Sequence, residues 1–113
     1  MIGKTDERIL NLMVEKINRL LEIHQGYSEE EIKTQFILSD AVQYEFEKLY
    51  EDSTRLSFDF RVSHPDFPTD KLRGIRNRVA HDYASVQLNI LINTIKDNLP
   101  DLKEAITNIL QNK

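Results

Sequence analysis

From Ile9 onward the apolar residues Ile9, Leu12, Met13, Ile17, Leu20 and Leu21, with His24 at the end, recur at steps of three and four. That is the period of one face of an α-helix, and it allows little else for residues 4–25. Gly26 marks a natural stop, and Ser28 with Glu31 then has the spacing of a capping box, so a short second helix is expected from there. Ser39 or Asp40 can cap a third, long helix whose apolar stripe runs Val42, Phe46, Leu49, Ser53, Leu56 and Phe60. The segment from Ser63 to Asp70 holds Pro65 and Pro68, which remove amide donors and bias their predecessors away from helix, so it reads as a loop. Pro68 suits the first turn of the next helix, in which Leu72, Ile75 and Val79 form a buried stripe. Ser85 can cap a helix bearing Val86, Ile90, Leu91 and Ile95. Pro100 with Asp101 restarts or kinks a last stretch bearing Leu102, Ile106, Ile109 and Leu110. No strand or internal repeat is convincing. The expectation is one domain over residues 1–113, an all-α, up-and-down bundle of about four to five helices.

Composition narrows the function classes. At 113 residues the chain can bury roughly two thirds of its unfolded surface in one core. There is no cysteine, which removes disulfides, thiolate metal sites and a cysteine nucleophile together. Neither His24 nor His64 has a partner at metal-ligand spacing, so both read as structural and no metal or other cofactor is expected. The run Glu29, Glu30 and Glu31 reads as a helix N-terminus. The first residues are charged where a signal peptide is apolar, and no stretch approaches the roughly 18 apolar residues of a membrane span. A cytoplasmic protein without membrane contact is therefore expected. The net charge of −4 argues against a globally basic nucleic-acid binder, so any contact with RNA must be local.

Charge of the right sign is concentrated in one place. Lys71, Arg73, Arg76 and Arg78 fall within eight positions of an otherwise acidic chain, followed by His81, Asp82 and Tyr83. At about 100° per residue, Asn77 and His81 lie roughly 40° apart, and Arg76 and Tyr83 nearly coincide two turns apart. Arg76 and His81 are about 140° apart, so one straight helix cannot aim both at one phosphate without a bend, a long arginine reach or a second subunit. Gly74 inside this helix costs about 1 kcal/mol relative to Ala, easiest to understand if another backbone approaches it closely, as at a dimer contact. A solvated basic face is the plain alternative for the arginines, a helix C-terminal imidazole for His81 and simple packing for Tyr83. Phe46, Tyr50, Phe58 and Phe60 read as core or dimer surface rather than as an RNA stacking platform.

The segment Arg76-Asn77-Arg78-Val79-Ala80-His81-Asp82-Tyr83 resembles the signature of the HEPN superfamily, an Arg followed by a polar residue and, four to six positions after the Arg, a His. The Tyr two residues past the His is similar to the HepT-like toxin group. So are the loop His64-Pro65-Asp66-Phe67-Pro68 and the tail Asp97 to Lys103, and the similarity covers about residues 39–110. The resemblance implies a helical homodimer whose two motif copies line one cleft and cut single-stranded RNA without a metal. It also implies pairing with a minimal, MntA-like nucleotidyltransferase antitoxin that adenylylates the motif tyrosine, here Tyr83. In such an enzyme His81 is the general acid or base and Arg76 holds the phosphate. Asn77 orients His81 or a phosphate oxygen, and Arg73, Arg78 and Lys71 guide the RNA backbone. AMP on Tyr83 would put a bulky anion where substrate phosphate must sit. From another class comes a non-catalytic helical adaptor that docks a nucleotidyltransferase with the same face. A module that binds RNA without cutting it is disfavoured by the acidic total charge.

Overall fold

The computed structural model describes residues 2–81 and 84–112, and within these the side chains of all but Ala80, His81 and Ala84 to Val86. Everything with regular structure among them is helical: α1 (Lys4–Gly26), α2 (Glu29–Thr34), α3 (Phe36–Thr54), α4 (Phe58–Ser63), α5 (Thr69–His81), α6 (Ala84–Asp97) and α7 (Leu99–Gln111). Five are long and two are six-residue pieces, so the expected four to five helices become seven.

The first helix behaves as its periodicity dictates. Leu10, Met13, Ile17 and Leu20 are fully buried along one face, which lies chiefly against α3 and also meets α6 and α7. The opposite wall comes from Val42, Phe46 and Leu49 of α3, Leu91, Ile92 and Ile95 of α6, and Leu99, Leu102 and Ile106 of α7. The Ser28 capping box closes as its spacing requires. The Ser28 hydroxyl accepts the Glu31 amide at 3.1 Å, and Glu31 accepts the Ser28 amide at 2.9 Å.

Three local expectations are corrected. The third helix starts at Phe36, before the proposed caps; Ser39 is buried inside it and donates its hydroxyl to the Phe36 carbonyl at 3.1 Å. That helix also stops at Thr54 instead of running on to Phe60, and α4 begins afresh behind Ser57. The break is fixed from far away in sequence. The buried Asp6 carboxylate accepts both the Ser57 amide at 2.9 Å and the Ser57 hydroxyl at 2.6 Å, while the Ser57 oxygen accepts the Phe60 amide at 3.0 Å. One aspartate in the first turn of α1 thus also anchors the start of α4, where a negative group suits the exposed amides of both helices. Finally, Ser85 falls one residue inside α6 rather than ahead of it.

The helix carrying the basic segment sits at the periphery. Among its described side chains only Leu72 is a fully buried apolar anchor; Ile75 and Val79 are half-buried rather than the continuous buried stripe expected. It rests on α6 and α3. Lys71, Arg73, Gly74, Asn77 and Arg78 are exposed. A Cβ added at Gly74 would meet nothing within 4 Å, so no backbone of this chain explains the glycine. Gly74→Ala is therefore expected to stabilise the isolated fold by about 0.5–1 kcal/mol, read as a rise of a few degrees in thermal midpoint. A fall instead would show that a second copy packs onto Gly74 in solution.

Candidate active site

The described cationic residues of α5 divide into two groups. Arg76 and Arg73 lean onto α3, whereas Lys71 and Arg78 project from other faces and make no ion pair among the described residues. The Arg76 guanidinium carbon stands 5.4 Å from the centroid of the Tyr50 ring. Its Nε lies 3.6 Å from a Glu47 carboxylate oxygen, and one terminal nitrogen donates to the Asn77 side-chain oxygen at 3.4 Å. With Arg76 and Glu47 each about two fifths exposed, the ion pair is worth little, at most about 1 kcal/mol. The aromatic platform adds a comparable amount. Arg76 is thus held softly with its outer edge accessible, an arrangement a phosphate can displace or join.

Arg73 extends the same ledge. Hydrogen bonding with Tyr50 is the larger cause, and the Asp70 carboxylate at 3.0 Å the smaller, that push its guanidinium above the ordinary arginine value and keep it charged. Tyr50 therefore carries Arg76 on its ring and stands near Arg73 of the same helix. Sequence reasoning placed it in the core or at a dimer surface; the structure leaves it half-buried at the α3–α5 seam. Glu47 and Tyr50 are one turn apart on α3, but nothing in their spacing says which helix they face.

If the chain cuts RNA, as the resemblance implies, Tyr50→Phe is expected to keep the ring beneath Arg76 and to change cleavage less than about twofold, whereas Tyr50→Ala removes the platform under Arg76 and lowers kcat/KM about tenfold. Single-turnover cleavage of one RNA by the two variants checks this. Equal effects would mean that the ring contact contributes nothing.

The other expected site residues fall as follows. Asn77 is brought to Arg76. His81 closes α5, but its side chain, like all of Tyr83 and Asp82, lies outside the described residues. His64 is occupied structurally: its ring stacks on Phe60 with centroids 4.4 Å apart, and its Nδ1 lies 3.2 Å from the Phe60 carbonyl. Phe46 and Phe60 are core, and Phe58 is exposed. Among the described residues no helix is long and apolar enough to cross a membrane.

Residues 13–109 match the family described as Ribonuclease HepT-like. The chain belongs to this family, the HepT-like ribonucleases of the HEPN superfamily. The match begins within α1, so the likeness reaches further toward the N-terminus than the motifs alone carried it. Among curated relatives, a candidate RNase of Caldanaerobacter subterraneus subsp. tengcongensis is 28% identical over 108 residues, 96% of each chain. A candidate HepT ribonuclease of Thermococcus cleftensis is 31% identical over 71 residues, 63% of this chain and 61% of the relative. A candidate RNase of Methanocaldococcus jannaschii is 24% identical over 94 residues, 83% of this chain and 86% of the relative. No solved structure matches the chain at a significant level. Membership of a ribonuclease family supports ribonuclease as the class of activity here.

Proposed function

We propose that the protein is a metal-independent endoribonuclease toxin, with Arg76, His81 and Asn77 as its catalytic residues. The observation that carries the reading is the Arg76 guanidinium, presented at an accessible edge with Asn77 beside it, on the helix that ends at His81. In the reaction the His81 imidazole takes the proton of a ribose 2′-hydroxyl, whose oxygen attacks the adjacent phosphorus. The bond from phosphorus to the 5′-oxygen breaks, that oxygen takes a proton from the His81 imidazolium, and the products are a 2′,3′-cyclic phosphate and a 5′-hydroxyl. Arg76 stabilises the extra charge on the phosphorane through paired N–H donors. Asn77 accepts one N–H of Arg76 through its side-chain oxygen and keeps its NH2 group for substrate. Arg73, Arg78 and Lys71 steer the strand.

A homodimer fits this chemistry. Arg76 leans onto α3, and position 81 lies about 140° further round the helix by count, so a second copy is the direct way to bring an imidazole to the phosphate held by Arg76. A nucleotidyltransferase antitoxin of the MntA-like kind would silence the enzyme by adenylylating Tyr83, which lies two residues past His81.

One feature favours an adaptor as a second reading, with α3 rather than the basic face of α5 as its docking surface. Phe36, Ile37 and Tyr44 of α3 are 73%, 69% and 60% exposed, an apolar surface suited to docking a partner. Induced expression separates the two. The enzyme predicts growth arrest with the wild type and normal growth with His81→Ala. Normal growth and intact RNA with both would leave the adaptor.

A further inference from the structure

Beside α5 lies a cavity of about 260 Å³ that the cleavage step does not use. It is built where three segments converge: the proline loop, the start of α5 and the start of α7. Buried Leu72 and Leu99 contribute apolar wall. Asp66, Lys71, Asn98 and Asp101 supply the polar part of the lining. None of the three charged groups makes an ion pair among the described residues, and Asn98, although it is the N-cap of α7, makes no capping bond with its side chain.

These groups define the occupant. Pockets for drug-sized ligands start near about 300 Å³, so this one takes a single small ring system. Two carboxylates against one ammonium disfavour a phosphate inside it. Apolar walls with carboxylate acceptors and a carboxamide instead suit a planar, uncharged ring that carries an amino donor, the pattern by which acidic side chains read the amino edge of a base.

The approach to the cavity is also built. By helical count Lys71, Gly74 and Arg78 fall within about 60° of one another, with Lys71 and Arg78 about 10.5 Å apart along the axis. Both cations are exposed, and between them Gly74 leaves open space where any other residue would put a Cβ. A phosphate chain can lie close to the helix there, as glycine permits.

We propose that this cavity is a subsite for one amino-bearing base of single-stranded RNA, reached by a strand running along the Lys71, Gly74 and Arg78 strip from the His81 end of α5. The subsite rests on the ribonuclease reading and adds a sequence preference to it.

The test uses the 113-residue protein and short 2′-O-methyl oligouridylates, which present the same bases and phosphates but have no free nucleophile and so are not cut. A single cytosine, adenine or guanine replaces uracil, the base without an amino group, at successive positions, and affinity is read by fluorescence anisotropy. At one position an amino-bearing base is expected to bind about tenfold tighter than uracil, and the Asp66→Ala/Asp101→Ala double variant, which removes both acceptors, to reduce that ratio to about twofold or less. Both aspartates are exposed, so the variant should melt within a few degrees of the wild type. Equal affinity for all bases, or a preference that survives the double variant, overturns the subsite. Cleavage of the matching unmodified oligonucleotides is scored separately. Cutting without base preference removes the subsite and leaves the enzyme, whereas base-selective binding without cutting keeps the subsite and removes the enzyme.

Discussion

Arg76→Ala is expected to lower kcat for RNA cleavage by about 10²–10³, because removing one preorganised donor to a developing oxyanion has that cost in comparable sites. The loss should be concentrated in kcat, since the guanidinium matters most when the phosphorane carries its extra charge, while the neighbouring cations continue to attract the strand. Arg76→Lys should fall between the two. It keeps the charge but loses the planar fork that grips two oxygens, and an ammonium is a poorer partner for the Tyr50 face. Steady-state and single-turnover kinetics on one short RNA check both variants. A rise in KM with kcat unchanged would assign Arg76 to binding alone.

The largest effect on stability is expected from Asp52. Its side chain is 6% exposed, and the Lys16 ammonium, itself only 15% exposed, lies 2.6 Å from Oδ2. That oxygen has no hydrogen bond of good geometry, so charge pairing with Lys16 is what satisfies it; Arg55 adds a longer contact of 3.7 Å to Oδ1. Asp52→Ala would leave the Lys16 ammonium nearly buried between α1 and α3 without a counter-charge, at a cost of about 3 kcal/mol, the low end for such pairs because the lysine can reach toward water. For a chain of this size that is a fall of roughly 10–20 °C in thermal midpoint. Lys16→Met combined with Asp52→Ala should recover most of it, since replacing both members of a buried pair by apolar groups is often neutral. A double variant no better than Asp52→Ala would mean that the aspartate acts through something other than its lysine.

How much of this was legible beforehand depended on the range of the interaction. The face of α1 and the Ser28 capping box are written within a few residues and were readable as such. The break between α3 and α4 was not, because Leu56 and Phe60 continue the apolar period of α3 straight across it. What interrupts the helix is a pair of hydrogen bonds from Ser57 to Asp6, 51 residues earlier. Ser39 misled for a related reason: a serine ahead of an apolar run looks like a cap, yet its hydroxyl bonds back to Phe36 within the same helix. At the candidate site, the cationic segment declared itself by its contrast with the acidic remainder. Glu47 and Tyr50 did not, since pairing between α3 and α5 is a property of packing that neither helix encodes alone.

The chemistry proposed at His81 is open to the most direct test. Purified protein incubated with single-stranded RNA in EDTA should cut it to products ending in 2′,3′-cyclic phosphate and 5′-hydroxyl, and His81→Ala should slow that cleavage by about 10²–10⁴. Intact RNA with the wild type, or equal rates for wild type and His81→Ala, would contradict it.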